Sequence, residues 1–193
     1  MRCAVREILT GVRAQLGDQG YEVADQVPLG VMIEVPSSIW VLDHLVRSVD
    51  FVSVGSNDLV QYILAVDRDN PFVSKLYEPQ HPAVIRALAE IARISRDAGK
   101  PCSVCGEIAG DYAMALLLLG MGFDDLSVAP NFLAEVRYAT RHTPFSEAEE
   151  LVRNALQLES PGAVHRLLAQ VRERLHRREL ESQRELSGGD GEK

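Results

Sequence analysis

Three stretches of this chain put reactive side chains directly after short apolar runs. Glu34 ends Gly30-Val31-Met32-Ile33-Glu34, Asn57 and Asp58 follow Phe51-Val52-Ser53-Val54-Gly55-Ser56, and Cys105 ends Cys102-Ser103-Val104-Cys105. Short, nearly continuous apolar runs read as strands of a parallel sheet buried on both faces. The C-terminal ends of such strands are where strand–helix proteins build active sites. Glu34 and Asp58 together suit Mg²⁺, which takes one or two protein carboxylates and fills its remaining positions with water and substrate oxygens. Asn57 can donate to a phosphate oxygen, and Gly55 permits close backbone approach to a ligand. Arg68, in Val66-Asp67-Arg68-Asp69-Asn70, carries a guanidinium fork able to clamp a phosphate. Cys105 can serve as a proton donor, since a thiol titrates near pH ~8.5. The set points to chemistry on an oxygen-rich, phosphorylated substrate.

Each of these residues also has a plainer explanation. Glu34 could form a salt bridge at the rim of a sheet. Asn57 and Asp58 could cap a helix beginning near Leu59. An arginine between two aspartates is an ordinary surface ion pair. Cys102-x-x-Cys105 has the spacing of half a zinc site or of a redox pair. The third cysteine, Cys3, is remote, the five histidines show no paired spacing, and a redox pair normally opens a helix, not a strand end. His44, His81, His142, His165 and His176 are therefore read as surface residues without acid–base partners.

The elements that must hold these groups alternate. A helix with an apolar stripe of Val5, Ile8, Leu9, Val12 and Leu16 is expected over residues 1–16. Strands are expected at Gly30–Ile33, Phe51–Val54, Cys102–Cys105 and Leu126–Val128. Helices are expected from Pro36, near Leu59–Leu64, from Pro82 to Ala98 and from Asp111 to Leu119. Ser146 and Glu149 have capping-box spacing ahead of a helix to Leu156. Pro161 opens another helix, with Val164, Leu167, Leu168, Val171 and Leu175 along one side. Repeated strand–helix alternation implies an α/β fold with a parallel sheet.

The 193 residues are enough for a real core, and the net charge of −8 argues against nucleic acid as a partner. The N-terminus lacks a signal-peptide pattern, and the apolar run from Ala113 to Phe123 is too short to span a bilayer. Three cysteines make no disulfide framework. A cytoplasmic protein is expected.

At this level the motifs match a family. Gly30-Val31-Met32-Ile33-Glu34-Val35-Pro36, Val54-Gly55-Ser56-Asn57-Asp58-Leu59-Val60-Gln61-Tyr62, Ala65-Val66-Asp67-Arg68 and Cys105-Gly106-Glu107-Ile108-Ala109-Gly110-Asp111 resemble the phosphoenolpyruvate-binding barrel of Enzyme I. That is the phosphoenolpyruvate–protein phosphotransferase of the bacterial phosphotransferase system. The likeness is nearest to its nitrogen-related paralogue. It implies that residues 1–145 form the last four βα units of a (β/α)8 TIM barrel, a half barrel. A helical extension over 146–184 and a disordered tail over 185–193 would follow. It implies Mg²⁺ held by Glu34 and Asp58, phosphoenolpyruvate bound through Asn57, Asp58 and Arg68, and Cys105 protonating the enolate as pyruvate forms.

The family's Gly-Gly-x-x-Ser-His-like motif, which carries the phosphorylated histidine, is absent, and the substrate-binding arginines of the early barrel strands would precede Met1. The chain is thus expected to be a C-terminal part, inactive alone. Its implied partners are a histidine phosphocarrier protein and a second copy in a homodimer. The alternative is a catalytically silent dimerisation or regulatory module.

Overall fold

The computed structural model describes residues 4–188. Helix α1 (Ala4–Asp18) leads into β1 (Gly30–Ile33), and a 3-10 segment (Pro36–Val41) runs on into the short α2 (Leu42–Leu45). Then come β2 (Phe51–Gly55), α3 (Ser56–Ile63), α4 (Pro82–Asp97), β3 (Cys102–Cys105), α5 (Glu107–Gly110), α6 (Tyr112–Met121) and β4 (Asp125–Ser127). Helices α7 (Leu133–Arg141), α8 (Phe145–Leu156) and α9 (Pro161–Gly188) complete the order. The four strands form one parallel sheet in chain order, β1-β2-β3-β4. The expected α/β class is what forms.

Side chains alternate across each strand. One face presents Ile33, Val52, Val54, Cys102 and Val104, all essentially without solvent exposure, to the core beneath α2, α4 and α6. The registers put Gly30 beside Phe51, Met32 beside Ser53, Ser53 beside Ser103, and Gly55 beside Cys105 on the other face. That face is small and polar in the middle, where Ser103 Oγ donates to Ser53 Oγ at 3.0 Å. Towards β1 it carries Met32 and Phe51, exposed by 51% and 37%.

Helix α6 is apolar all round, and Ala113–Leu118 and Met121 are buried accordingly. Asp111 caps it, accepting from the Ala113 and Met114 N–H groups at 2.9 and 3.2 Å, and its second oxygen takes Arg172 of α9 at 2.5 Å. Helix α9 buries Val164, Leu168, Val171 and Leu175, a helical stripe, in the same core as the sheet.

Several local expectations shift. Ser146 lies inside α8, which starts at Phe145 after Pro144, so no capping box forms. Pro144, fixed in φ and lacking an N–H, sets the start instead. Helix α9 runs to Gly188, three residues beyond the expected onset of a tail at 185; the rest of that tail lies outside the described residues, as does Cys3. The histidines are not partnerless. His165 Nε2 lies 3.1 Å from Glu78 Oε1, and His81 Nδ1 accepts from the Ala83 N–H at 3.1 Å as the cap of α4. Among the described residues, no helix is long and apolar enough to cross a membrane.

Candidate functional site at the C-terminal rim of the sheet

Helix α3 begins at Ser56, directly on the end of β2, and not near Leu59. Asn57 and Asp58 therefore occupy its first turn, where N–H groups lack intrahelical partners and negative charge is favoured. Gly55 occupies the cap position, and no side chain caps the helix. The capping explanation of Asn57 and Asp58 fails: neither side chain caps α3.

Glu34 leaves β1 beside Gly55. A Cβ on Gly55 would lie 3.0 Å from Glu34 Oε2, 3.1 Å from its Cβ and 3.2 Å from Met32 Sδ. The missing side chain is thus what lets the Glu34 carboxylate lie against the end of β2. Among the described residues, neither Glu34 nor Asp58 has a hydrogen-bond or ion-pair partner from another side chain. Two half-buried carboxylates left without cationic partners, with a cradle that a Cβ would fill, fit a Mg²⁺ site completed by substrate oxygens. No group of three or more His, Cys, Asp or Glu side chains gathers among the described residues.

Strand β3 delivers Cys105 to the same rim, half-buried, with Sγ 3.4 Å from the Val54 carbonyl that accepts from it. Cys102 points to the opposite face and is buried, so a spacing of three along a strand separates the two thiols. The redox-pair reading is excluded by that parity. Burial pushes the Cys102 thiol up to about 11, with the nearby Ser95 side chain opposing the rise and the charge of Asp124 adding to it.

Two bonds to the first turn of α3 fasten the turn after Cys105. Ser56 Oγ donates to the Cys105 carbonyl at 2.5 Å, and the Glu107 N–H donates to Asn57 Oδ1 at 3.0 Å. Gly106 between them has φ +104°, and a Cβ there would meet Ser56 Oγ at 2.3 Å. This turn is closed to any residue but glycine.

Arg68 follows the end of α3. Ala65, at φ +52°, ends the helix in a left-handed turn: the Val66 N–H bonds back to the Gln61 carbonyl at 2.9 Å. The Arg68 N–H then takes Gln61 Oε1 at 3.3 Å. Asp67 Oδ1 accepts from the Asp69 N–H at 2.9 Å, and no ion pair of Arg68 with either aspartate forms among the described residues. Arg68 is exposed, and its positive charge acts on Tyr77, whose hydroxyl donates to the Asn57 carbonyl at 3.5 Å. Burial holds the Tyr77 phenol above its ordinary range, aided by the negative charges of Glu107 and Asp58 and opposed by Arg68. Tyr77 thus shares the neighbourhood of Asn57, Asp58, Arg68 and Glu107.

Glu34, Asn57, Asp58 and Cys105 thus stand at or just after three strand ends on one rim of the sheet, and the loop after α3 carries Arg68. Ser56, Tyr77 and Glu107 belong to the same region and were given no role by sequence. Ser56 and Glu107 lie inside motifs already singled out, whereas Lys75-Leu76-Tyr77-Glu78 carries no pattern that would mark Tyr77.

A family profile described as "PEP-utilising enzyme, PEP-binding domain" matches residues 3–145. A "Phosphoenolpyruvate-dependent phosphotransferase system" protein of Escherichia coli (strain K12) is 43% identical over 155 residues, 80% of this chain and 21% of that protein. A "Phosphoenolpyruvate-protein phosphotransferase" of Staphylococcus carnosus is 41% identical over 152 residues, 79% of this chain and 26% of its own. One from Haemophilus influenzae is 37% identical over 164 residues, covering 85% and 28%. The chain spans between a fifth and three tenths of these relatives' length. Among solved structures, a citrate lyase of Burkholderia xenovorans LB400 superposes with a TM-score of 0.50, over 88% of this chain and 59% of that one. At 18% identity that likeness concerns the fold alone.

Proposed function

The chain belongs to the PEP-utilising enzymes and carries their PEP-binding domain, and on that premise we propose that its rim binds phosphoenolpyruvate with Mg²⁺ for phosphoryl transfer to a histidine. The observation that supports this reading is that Glu34 and Asp58, without side-chain partners among the described residues, stand with Asn57 and Cys105 at one end of the parallel sheet. The small, polar sheet face would then be the interior of a barrel of which these four βα units are half. Glu34 and Asp58 would hold Mg²⁺, which would supply charge neutralisation for the departing phosphoryl group.

The chain's own side chains do the rest. The Asn57 amide donates to a phosphoryl oxygen. The exposed guanidinium of Arg68 swings on its loop to pair with the same group. When the phosphoryl group leaves, the enolate of pyruvate remains, and the Cys105 thiol gives its proton to the methylene carbon to yield pyruvate. The partners of the reaction are a phosphohistidine domain and, beyond it, a histidine phosphocarrier protein, with a homodimer as the working assembly in the cytoplasm. Retention of all five site residues speaks for chemistry over a silent dimerisation or regulatory role.

Calorimetric titration of the chain with phosphoenolpyruvate tests the reading. Binding that requires Mg²⁺ and is lost in Asp58→Ala is expected. Binding indifferent to both metal and substitution would refute it. No label should pass from radioactive phosphoenolpyruvate to a carrier protein through this chain alone, because the site residues include no histidine.

A further inference from the structure

Among the described residues, only Ser56 and Ser95 are polar side chains in the fully buried class, and Ser56 is the one at the rim. Its hydroxyl ties the first turn of α3 to the last residue of β3 through the Cys105 carbonyl, 2.5 Å away. Two residues later in that turn, the Glu107 N–H donates to Asn57 Oδ1 at 3.0 Å. An N–H donor selects the oxygen of an amide, so the NH₂ of Asn57 is left pointing away from Glu107 as the free donor. The two bonds bracket Gly106, whose φ of +104° and absent side chain let Ser56 and Asn57 close upon it. Neighbouring residues of one helical turn thus grip both ends of the turn that presents the thiol.

We propose that Ser56 is a positioning residue: by fixing the Cys105–Glu107 turn, it presents the Asn57 amide with its NH₂ towards phosphoryl oxygens and holds the Cys105 thiol at the substrate's edge. The proposal rests on the phosphoenolpyruvate reading for its ligand, but not for its geometry. If the hydroxyl is removed, the Cys105 carbonyl loses its donor and the turn is free to move. The Asn57 amide can then rotate, and half of its orientations offer oxygen to an anion.

The experiment uses the full chain with Ser56→Ala and the hydroxyl-retaining Ser56→Thr. Amide hydrogen exchange by NMR should accelerate at Glu107 by about tenfold in Ser56→Ala, the equivalent of one hydrogen bond to a buried acceptor. Exchange at Leu117, in the centre of α6, should not change, and Ser56→Thr should behave as the wild type. Calorimetry with phosphoenolpyruvate and Mg²⁺ should show affinity about tenfold weaker in Ser56→Ala and near normal in Ser56→Thr. Unchanged exchange at Glu107 in Ser56→Ala overturns the proposal. Acceleration shared equally by Leu117 also overturns it, because it marks general destabilisation. A wild-type chain that fails to bind phosphoenolpyruvate overturns the functional reading instead, while the exchange at Glu107 still decides whether Ser56 orders the turn.

Discussion

Gly106→Ala should be among the most damaging single-methyl additions in this protein, and its cost can be built from three parts. The backbone there, φ +104° and ψ −175°, lies in a region that is almost exclusively glycine's, so an L side chain costs about 1–3 kcal/mol. The new Cβ would stand 2.3 Å from Ser56 Oγ and 2.7 Å from Asn57 Oδ1, so both atoms must retreat. Each hydrogen bond lost is worth about 0.5–1.5 kcal/mol net, and a buried Ser56 hydroxyl left without a partner adds about 1–3 kcal/mol. These parts overlap, which gives an expected loss of about 3–5 kcal/mol. Gly99→Ala is the control. Gly99 also has positive φ, +64°, but a Cβ there meets nothing within 4 Å, so only the left-handed backbone penalty of about 1–2 kcal/mol applies. Both substitutions stiffen the unfolded chain equally, so that effect cancels between them. Urea unfolding followed by circular dichroism, compared at constant m, reads the difference. If Gly106→Ala costs no more than Gly99→Ala, the close packing of the turn against α3 is wrong.

Three further outcomes are expected. Gly120→Ala should destabilise by about 1–3 kcal/mol in thermal or urea unfolding. Its Cβ would lie 2.3 Å from the Ala148 carbonyl oxygen across the α6–α8 contact, whereas the same change in an open helix stabilises; a gain in stability would refute that approach. Iodoacetamide at pH 8 should alkylate Cys105 and spare Cys102, which is buried and whose thiol becomes a thiolate only as the pH approaches about 11; peptide mass mapping that finds both labelled at one rate would contradict this. Asp50, held below the ordinary carboxylate range first by the Leu29 N–H and then by Arg6, stabilises the fold above its unfolded pKa of ~3.9 and loses that contribution as the pH falls through its lower folded value. Asp50→Asn should therefore flatten the decline in stability below pH ~4, measured by denaturation across the acid range.

Alternation of apolar runs with helical stripes was enough to place all four strands within a residue or so, because each strand's helix-facing side chains are apolar and punctuated by glycine or proline. The placement of the candidate residues was legible for the same reason: Glu34, Asn57, Asp58 and Cys105 are polar residues at ends of apolar runs, and those runs are the strands. What sequence could not show was how tightly α3 follows β2. A polar Ser-Asn-Asp start reads as a cap and loop, yet Ser56 is committed across space to Cys105, 49 positions later. Tyr77 was invisible because its place beside Asn57 and Arg68 depends on the path of the whole 65–80 loop. His165 and Glu78, 87 positions apart, meet only once α9 packs back.

Side-chain parity along the strands has an evolutionary consequence. Val52, Val54 and Val104 answer to the helices, while Ser53, Gly55, Ser103 and Cys105 answer to the rim and the polar face. Substitutions on opposite faces share few partners, so their effects should combine almost additively. Lineages carrying this sheet can therefore drift in substrate preference through one set of positions while selection for foldability acts on the other. A combinatorial library restricted to the polar face and strand ends would explore new chemistry with most members still folded, an evolvability that resides in the pleat and not in any single residue.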